Sequence, residues 1–327
     1  MKQRIVEAGT IKMNVVEESH GPPVLLCHGF PETSYAWRHQ VRSLAEAGFH
    51  VIAPDMRGYG GSDRPDAVDA YTLFHIVGDM IALLDALGES HAIIVGNDWG
   101  ATVAWQAAQM RPDRFKGVVA LSVPLMGPPP VPPTAIFPQT EDAQLYTLYF
   151  QEPGIAEAEL EKDIRRTLRM LLFAASGDAG PRRPGDATPN PFGMVSRRDG
   201  LLAPLPDPKE LPSWLSEADL DIYAEAFTKT GFSGALNYYR NLDRNWQLQA
   251  SLSGVKVEVP ALFIAGERDP GLQIPGMTEI IEAMPALAPR VQDPVIISGG
   301  GHWLPQECPD QVSAAIVAFA RSTLTAR

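Results

Sequence analysis

Short apolar runs alternate with helical patterns through the first third of the chain, break off at a run of prolines, and return in the last quarter. Val24-Leu25-Leu26-Cys27, Val51-Ile52-Ala53, Ile93-Ile94-Val95 and Val118-Val119-Ala120-Leu121 are brief, strongly apolar and followed by turn signals, as strands buried on both faces should be. Between the second and third runs, Leu73, Ile76, Val77, Met80, Ile81, Leu84 and Leu87 recur at the spacing of one helix face, and Gly88 ends the pattern. Strand and helix in alternation predict a mostly parallel sheet covered on both faces. Ile5-Val6 and the segment 11–16 are expected to form a leading antiparallel hairpin.

The break is Gly127-Pro128-Pro129-Pro130-Val131-Pro132-Pro133. Proline fixes φ and cannot donate to a ladder, so this stretch reads as a stiff connector. Beyond it the pattern is helical and irregular to about residue 250. Leu160, Ile164, Leu168, Leu171 and Leu172 make one stripe. Glu157, Glu159 and Glu161 stand early and Arg165, Arg166 and Arg169 late, an order that complements the dipole of a single helix. The Gly/Pro-rich segment 177–191 is expected to be a long surface loop. The β/α pattern resumes with Ala261-Leu262-Phe263-Ile264-Ala265, a helix near 274–284, strand Val295-Ile296-Ile297 and a last helix with Pro309 in its first turn. The expected architecture is one α/β domain, 1–126 and 250–327, interrupted by a helical lid, 127–249.

Composition narrows the function. The 327 residues carry 27 basic and 39 acidic side chains, a net charge of −12, with no basic tract, which argues against a nucleic-acid partner. No apolar run is long enough to span a bilayer, and the first residues lack a signal-peptide core, so the chain reads as cytoplasmic, with no membrane partner. Its two cysteines, Cys27 and Cys308, are expected free and buried. No His/Cys cluster suggests a metal, and no cofactor is expected. Monomer and homodimer both stay open.

Gly96-Asn97-Asp98-Trp99-Gly100 follows a strand and opens a helix. This is the pattern of a nucleophile elbow, with Asp where serine is commoner. Small residues flank the centre because a sharp strand-to-helix turn leaves no room for side chains. The helix N-terminus favours a carboxylate there, although Asp98 as a plain N-cap would give the same local pattern. Asp269, in Gly266-Glu267-Arg268-Asp269-Pro270, and His302, in Gly299-Gly300-Gly301-His302-Trp303, each follow a later strand. The chain order nucleophile, acid, histidine is that of α/β-hydrolases. Glu267 competes with Asp269 as the acid. His28-Gly29-Phe30-Pro31-Glu32 follows the strand ending at Cys27, so the backbone N–H groups of Phe30 and Trp99 are candidates for an oxyanion hole. A carboxylate nucleophile attacks a saturated carbon without a base, and histidine then activates water against the resulting ester. The substrate is therefore expected to carry an electrophilic sp³ carbon, as epoxides and alkyl halides do.

With these residues in view the chain resembles a soluble epoxide hydrolase of the α/β-hydrolase fold. The likeness runs over essentially the whole chain: His28–Glu32, Arg57-Gly58-Tyr59-Gly60 and Asp98-Trp99-Gly100 in the core, and Tyr149-Phe150-Gln151-Glu152-Pro153-Gly154 and Leu236-Asn237-Tyr238-Tyr239-Arg240-Asn241 in the insertion. The resemblance implies an epoxide substrate, a role in detoxification, and two lid tyrosines that hold and protonate the epoxide oxygen. Alignment of the lid motifs puts them at Tyr146 and Tyr239, with Tyr149 and Tyr238 as competitors. It implies a cis Phe30–Pro31 bond, and Phe30, Trp99 and Trp303 as substrate-binding walls. The chain departs from the family at Asn97, where histidine is usual. A haloalkane or haloacid dehalogenase, sharing the Asp/His/Asp set, is the nearest alternative; the tyrosine pair speaks against it. A non-catalytic ligand-binding relative would not need Asp98, His302 and Asp269 together.

Overall fold

The computed structural model describes residues 2–180 and 190–325. Eight strands form the main sheet: β1 (Lys2–Ala8), β2 (Ile11–Glu18), β3 (Pro23–Cys27), β4 (His50–Pro54), β5 (Ala92–Asn97), β6 (Phe115–Leu121), β9 (Ala261–Gly266) and β10 (Val295–Ile297). Two short strands, β7 (Ala143–Leu145) and β8 (Met194–Ser196), pair with each other in the insertion. The order across the main sheet is β1-β2-β4-β3-β5-β6-β9-β10. Only β1/β2 and β2/β4 pair antiparallel; every later pairing is parallel. The leading hairpin and the parallel sheet are thus as the apolar runs predict.

Strand residues divide by parity. Val24 and Leu26 of β3 pack toward α1 (Arg38–Glu46) and α13 (Pro309–Thr325), while Leu25 and Cys27 join the core beneath α2 (Leu73–Leu87) and α3 (Trp99–Met110). Burial on both faces explains why these strands read as unbroken apolar runs rather than alternating ones. Edge strand β10 differs: Ile297 is buried, but Val295 and Ile296 are exposed. Gly88 caps α2 in the left-handed conformation, at φ 78°.

The insertion between β6 and β9 carries α4 (Pro133–Ile136), α5 (Tyr146–Tyr149), α6 (Ile155–Leu160), α7 (Ile164–Ala175), α8 (Glu217–Thr230), α9 (Ser233–Arg240) and α10 (Leu242–Gln249); α11 (Met277–Leu287) and α12 (Leu304–Glu307) follow in the resumed core. One expectation about the insertion is corrected here. The stripe from Leu160 to Leu172 belongs to two helices: the chain breaks at 161–163, and the Asp163 side chain accepts from the Arg166 N–H at 3.0 Å to start α7 afresh. Arg165 and Arg166 therefore sit in the first turn of α7, against its dipole, with Arg169 near its middle. Acids from outside the helix hold them: Asp207 for Arg166 and Arg169, Glu217 and Asp221 for Arg165. Of the expected loop 177–191, a 3₁₀ turn stands at Gly177–Ala179, and the middle, 181–189, lies outside the described residues. Cys27 and Cys308 are unbonded; Cys27 is buried, whereas Cys308 is only half-buried.

Candidate active site

All the site loops leave the carboxyl ends of neighbouring parallel strands: His28–Glu32 after β3, Asp98 after β5, Asp269 after β9 and His302 after β10. Side chains that are distant in sequence converge there because the parallel strands deliver their loops to one edge, where such sheets bind ligands.

Asp98 occupies the elbow at φ 53° and ψ −122°, a conformation that a non-glycine residue holds only when its surroundings enforce it. The enforcement is close packing. A Cβ on Gly96 would lie 1.9 Å from the Gly100 carbonyl oxygen, and one on Gly100 would lie 1.9 Å from that of Cys27. Although Asp98 stands at the N-cap of α3, its side chain makes no capping hydrogen bond. Its carboxylate turns into the site instead. Oδ1 accepts from the Phe30 N–H at 2.7 Å, and Oδ2 lies 3.3 Å from His302 Nε2. Phe30–Pro31 is cis. The Trp99 N–H is not among the carboxylate's described donors.

His302 Nδ1 sits 3.0 Å from both oxygens of Asp269, which is fully buried. Burial disfavours the imidazolium, but Asp269 and then Asp98 outweigh it and hold the pKa up to about 10. Glu267, the competing acid, is turned away; its carboxylate accepts from Ser298 Oγ and the Gly299 N–H.

The tyrosines sort by what their hydroxyls do. Tyr149 donates to Glu159 Oε2 at 2.6 Å, and Tyr238 donates to the Arg57 carbonyl at 2.9 Å. Tyr146 and Tyr239 pack edge-to-face, with ring centroids 5.9 Å apart. Burial, reinforced by Asp98, raises the pKa of both, so both are phenols at neutral pH. They line a narrow cavity with about 20 Å³ of water-sized room, together with Phe30, Phe150, Phe192 and Trp303. Trp99 is not among the described residues of its lining and packs edge-on against Tyr239 at 5.0 Å.

Sequence reading passed over two neighbours of the triad. Glu32, fully buried, accepts from Gln306 Nε2 at 2.8 Å and from Asn97 Nδ2 at 3.4 Å. Burial and the nearby Asp98 push its carboxyl up to about 7. Asn97 Oδ1 is buried without a partner among the described residues, so the asparagine uses one side of its amide only. Phe192 packs on the His302 ring at 4.7 Å and on Tyr146 at 5.6 Å. Among the described residues no group of His, Cys, Asp and Glu could hold a metal ion, and no helix is long and apolar enough to cross a membrane.

A family model for the alpha/beta hydrolase fold matches residues 22–307. Epoxide hydrolase A of Mycobacterium tuberculosis (strain ATCC 25618 / H37Rv) is 45% identical over 320 residues, covering 97% of this chain and 96% of the relative. Epoxide hydrolase 2 of Siraitia grosvenorii is 38% identical over 97% of each. Among solved structures, an epoxide hydrolase from an endophytic Streptomyces superposes with a TM-score of 0.92 at 40% identity, covering 97% of this chain and 94% of the other. Epoxide Hydrolase A from Mycobacterium thermoresistibile does so with a TM-score of 0.90 at 41% identity and 98% coverage of both chains.

Proposed function

The chain belongs to the α/β-hydrolase fold family and within it is an epoxide hydrolase; we propose that it opens its substrate through a covalent Asp98 ester, beneath a lid formed by residues 127–249. One observation carries this reading. The two oxygens of Asp98 have separate partners, Phe30 N–H on Oδ1 and His302 on Oδ2, while Tyr146, partly buried, and Tyr239, buried, line a cavity that Phe30 also lines.

In the first half-reaction Oδ2 attacks one ring carbon. The ring C–O bond breaks, its electron pair goes to the epoxide oxygen, and Tyr146 and Tyr239 supply the proton that neutralises it. In the second, His302 Nε2 takes a proton from water as the water oxygen attacks Asp98 Cγ. Negative charge then develops on Oδ1, where the Phe30 N–H already points. Collapse releases the diol, which takes up the imidazolium proton, and the remaining water proton restores the tyrosine.

Charge supports the order of these steps. Asp98 helps keep His302 protonated in the resting site. Esterification removes that negative charge, so the imidazolium gives its resting Nε2 proton to solvent and stands neutral at the step where a base is required; solvent returns that proton once the diol has left and the Asp98 carboxylate is restored. Trp99 N–H, within the elbow, becomes the second oxyanion donor as the carbonyl turns tetrahedral, and Phe30 and Trp303 shape the apolar walls, with the Trp99 indole backing Tyr239. The protein works in the cytoplasm, a reading that its unbonded cysteines support.

A single turnover with enzyme in excess, in water enriched in heavy oxygen, tests the covalent route. The first diol from an aryl epoxide should carry almost no label, and Asp98 should gain one heavy oxygen. Asp98→Ala should abolish turnover. Labelled diol in the first turnover would mean direct attack by water and end this mechanism.

A further inference from the structure

The loop that bears His302 is bonded on every side. Its own N–H donates to the Ala175 carbonyl at 3.0 Å, and its carbonyl accepts from Ser122 Oγ at 3.0 Å. The N–H groups on either side of it go to a single acceptor, Glu307. Oε2 accepts from Gly301 N–H at 3.0 Å, and Oε1 accepts from Trp303 N–H at 2.8 Å. Oε2 also accepts from Gly177 N–H at 2.8 Å, and Gly177 lies in the insertion, just beyond the end of α7. One carboxylate thus ties both flanks of the histidine to the inserted segment.

The two backbones meet without side chains between them. A Cβ on Gly177 would stand 2.2 Å from the Gly299 carbonyl oxygen, and one on Gly301 would stand 2.2 Å from the Gly177 nitrogen. The Trp303 indole N–H donates to the Leu172 carbonyl at 2.7 Å, and Arg268 Nη1 donates to the Gly177 carbonyl at 3.1 Å. The end of α7 therefore rests directly on the histidine loop. Three convergent N–H donors suit a carboxylate better than an amide, whose nitrogen would face a donor.

We propose that Glu307 is a positioning residue for the hydrolytic half-reaction: it fixes His302 between Asp269 and the ester, and it couples that placement to the seating of the inserted segment. The inference rests on the covalent reading above. Ring opening depends on Asp98 and the tyrosines, which Glu307 does not touch. Ester hydrolysis depends on where Nε2 holds a water, and misplacement by about 1 Å costs on the order of a hundredfold in rate.

Glu307→Gln keeps the side-chain shape and removes one of the three acceptor bonds. Stopped-flow measurement with an aryl epoxide should show ester formation within about twofold of wild type and ester decay slowed roughly tenfold to a hundredfold. Intact-mass analysis should find the adduct accumulating at steady state. Should the glutamine variant not fold, Glu307→Asp, one methylene shorter, carries the same expectation. A loss of folded enzyme alone would lower amplitudes and leave the ratio of the two rates unchanged, so an unchanged ratio in the folded variants overturns the proposal. Failure of the covalent reading looks different: wild type itself would form no ester.

Discussion

Tyr238 and Tyr239 are sequence neighbours with opposite fates. The Tyr238 hydroxyl ties α9 to the Arg57 carbonyl, whereas Tyr239 packs edge-to-face with Tyr146 in the cavity wall. Tyr239→Phe and Tyr146→Phe should each slow ester formation, within the roughly 10²–10⁴-fold span of general-acid help. Tyr238→Phe should leave that rate near wild type and cost about 1 kcal/mol of stability for the lost hydrogen bond. Stopped-flow rates beside urea unfolding separate the two effects; Tyr239→Phe at the wild-type rate would remove Tyr239 from the chemistry. Asp98, Asp269 and His302 were legible in the sequence because each follows a strand in a short, glycine-rich turn. Glu32 and Glu307 were not. An acid in a loop is ordinary, and what sets these two apart is contact with Gln306 and Asn97, or with Gly177, all remote in sequence or brought close by loop shape. Tyr146 came ahead of Tyr149 only through the likeness of the lid motifs; spacing alone does not separate them, since Glu159 reaching back to the Tyr149 hydroxyl is not visible in the sequence.

Among elements, the parallel strands were legible because double burial removes polar residues from the run. Strands β7 and β8, three residues each, carry too few positions for any period to register. The helices of the insertion were half-legible: apolar spacing of 3.6 continues through a break, so a stripe cannot tell one helix from two in line. Asp163 resolves the matter by capping α7. Replacing it by alanine gives a test with opposite signs. An N-cap loses about 1 kcal/mol when its side-chain acceptor is removed. A mid-helix aspartate replaced by alanine would gain stability, because alanine is the better helix former. Chemical denaturation of Asp163→Ala should therefore show a lower midpoint. A raised midpoint would restore the single-helix reading of residues 155–175.

Taken over the whole molecule, the site gathers Asp98, Asp269, Glu32, Glu307 and His302 at one sheet edge, and this concentration of buried charge should govern stability against pH. His302 is raised from 6.5 to about 10. A group whose folded pKa is raised contributes stability that is fully present below its unfolded pKa and is lost as pH climbs through the folded one. The His302 contribution is thus complete below about 6.5 and disappears toward 10. Glu32 and Glu307 are raised from 4.5 to about 7, so theirs is complete below 4.5 and gone above 7. Both effects make the fold less stable as pH rises, in two adjoining windows. Surface acids act in the other direction, but in a lower range: Asp113, paired with Arg111, is lowered to about 2, and its contribution is lost only as pH falls through that value. His28 and His39, both lowered below 6.5 chiefly by burial, act in the opposite direction below that value, so the unfolding temperature should decline most plainly from pH 7 to pH 10. His302→Gln should flatten the limb between 6.5 and 10 and leave the limb between 4.5 and 7 in place, since the two glutamates remain. The growing repulsion of a chain already at net −12 affects both proteins alike and cancels in the comparison. Parallel alkaline limbs in wild type and His302→Gln would show that His302 is not held protonated by its two aspartates, and the argument that esterification of Asp98 releases it as a base would fall with that result.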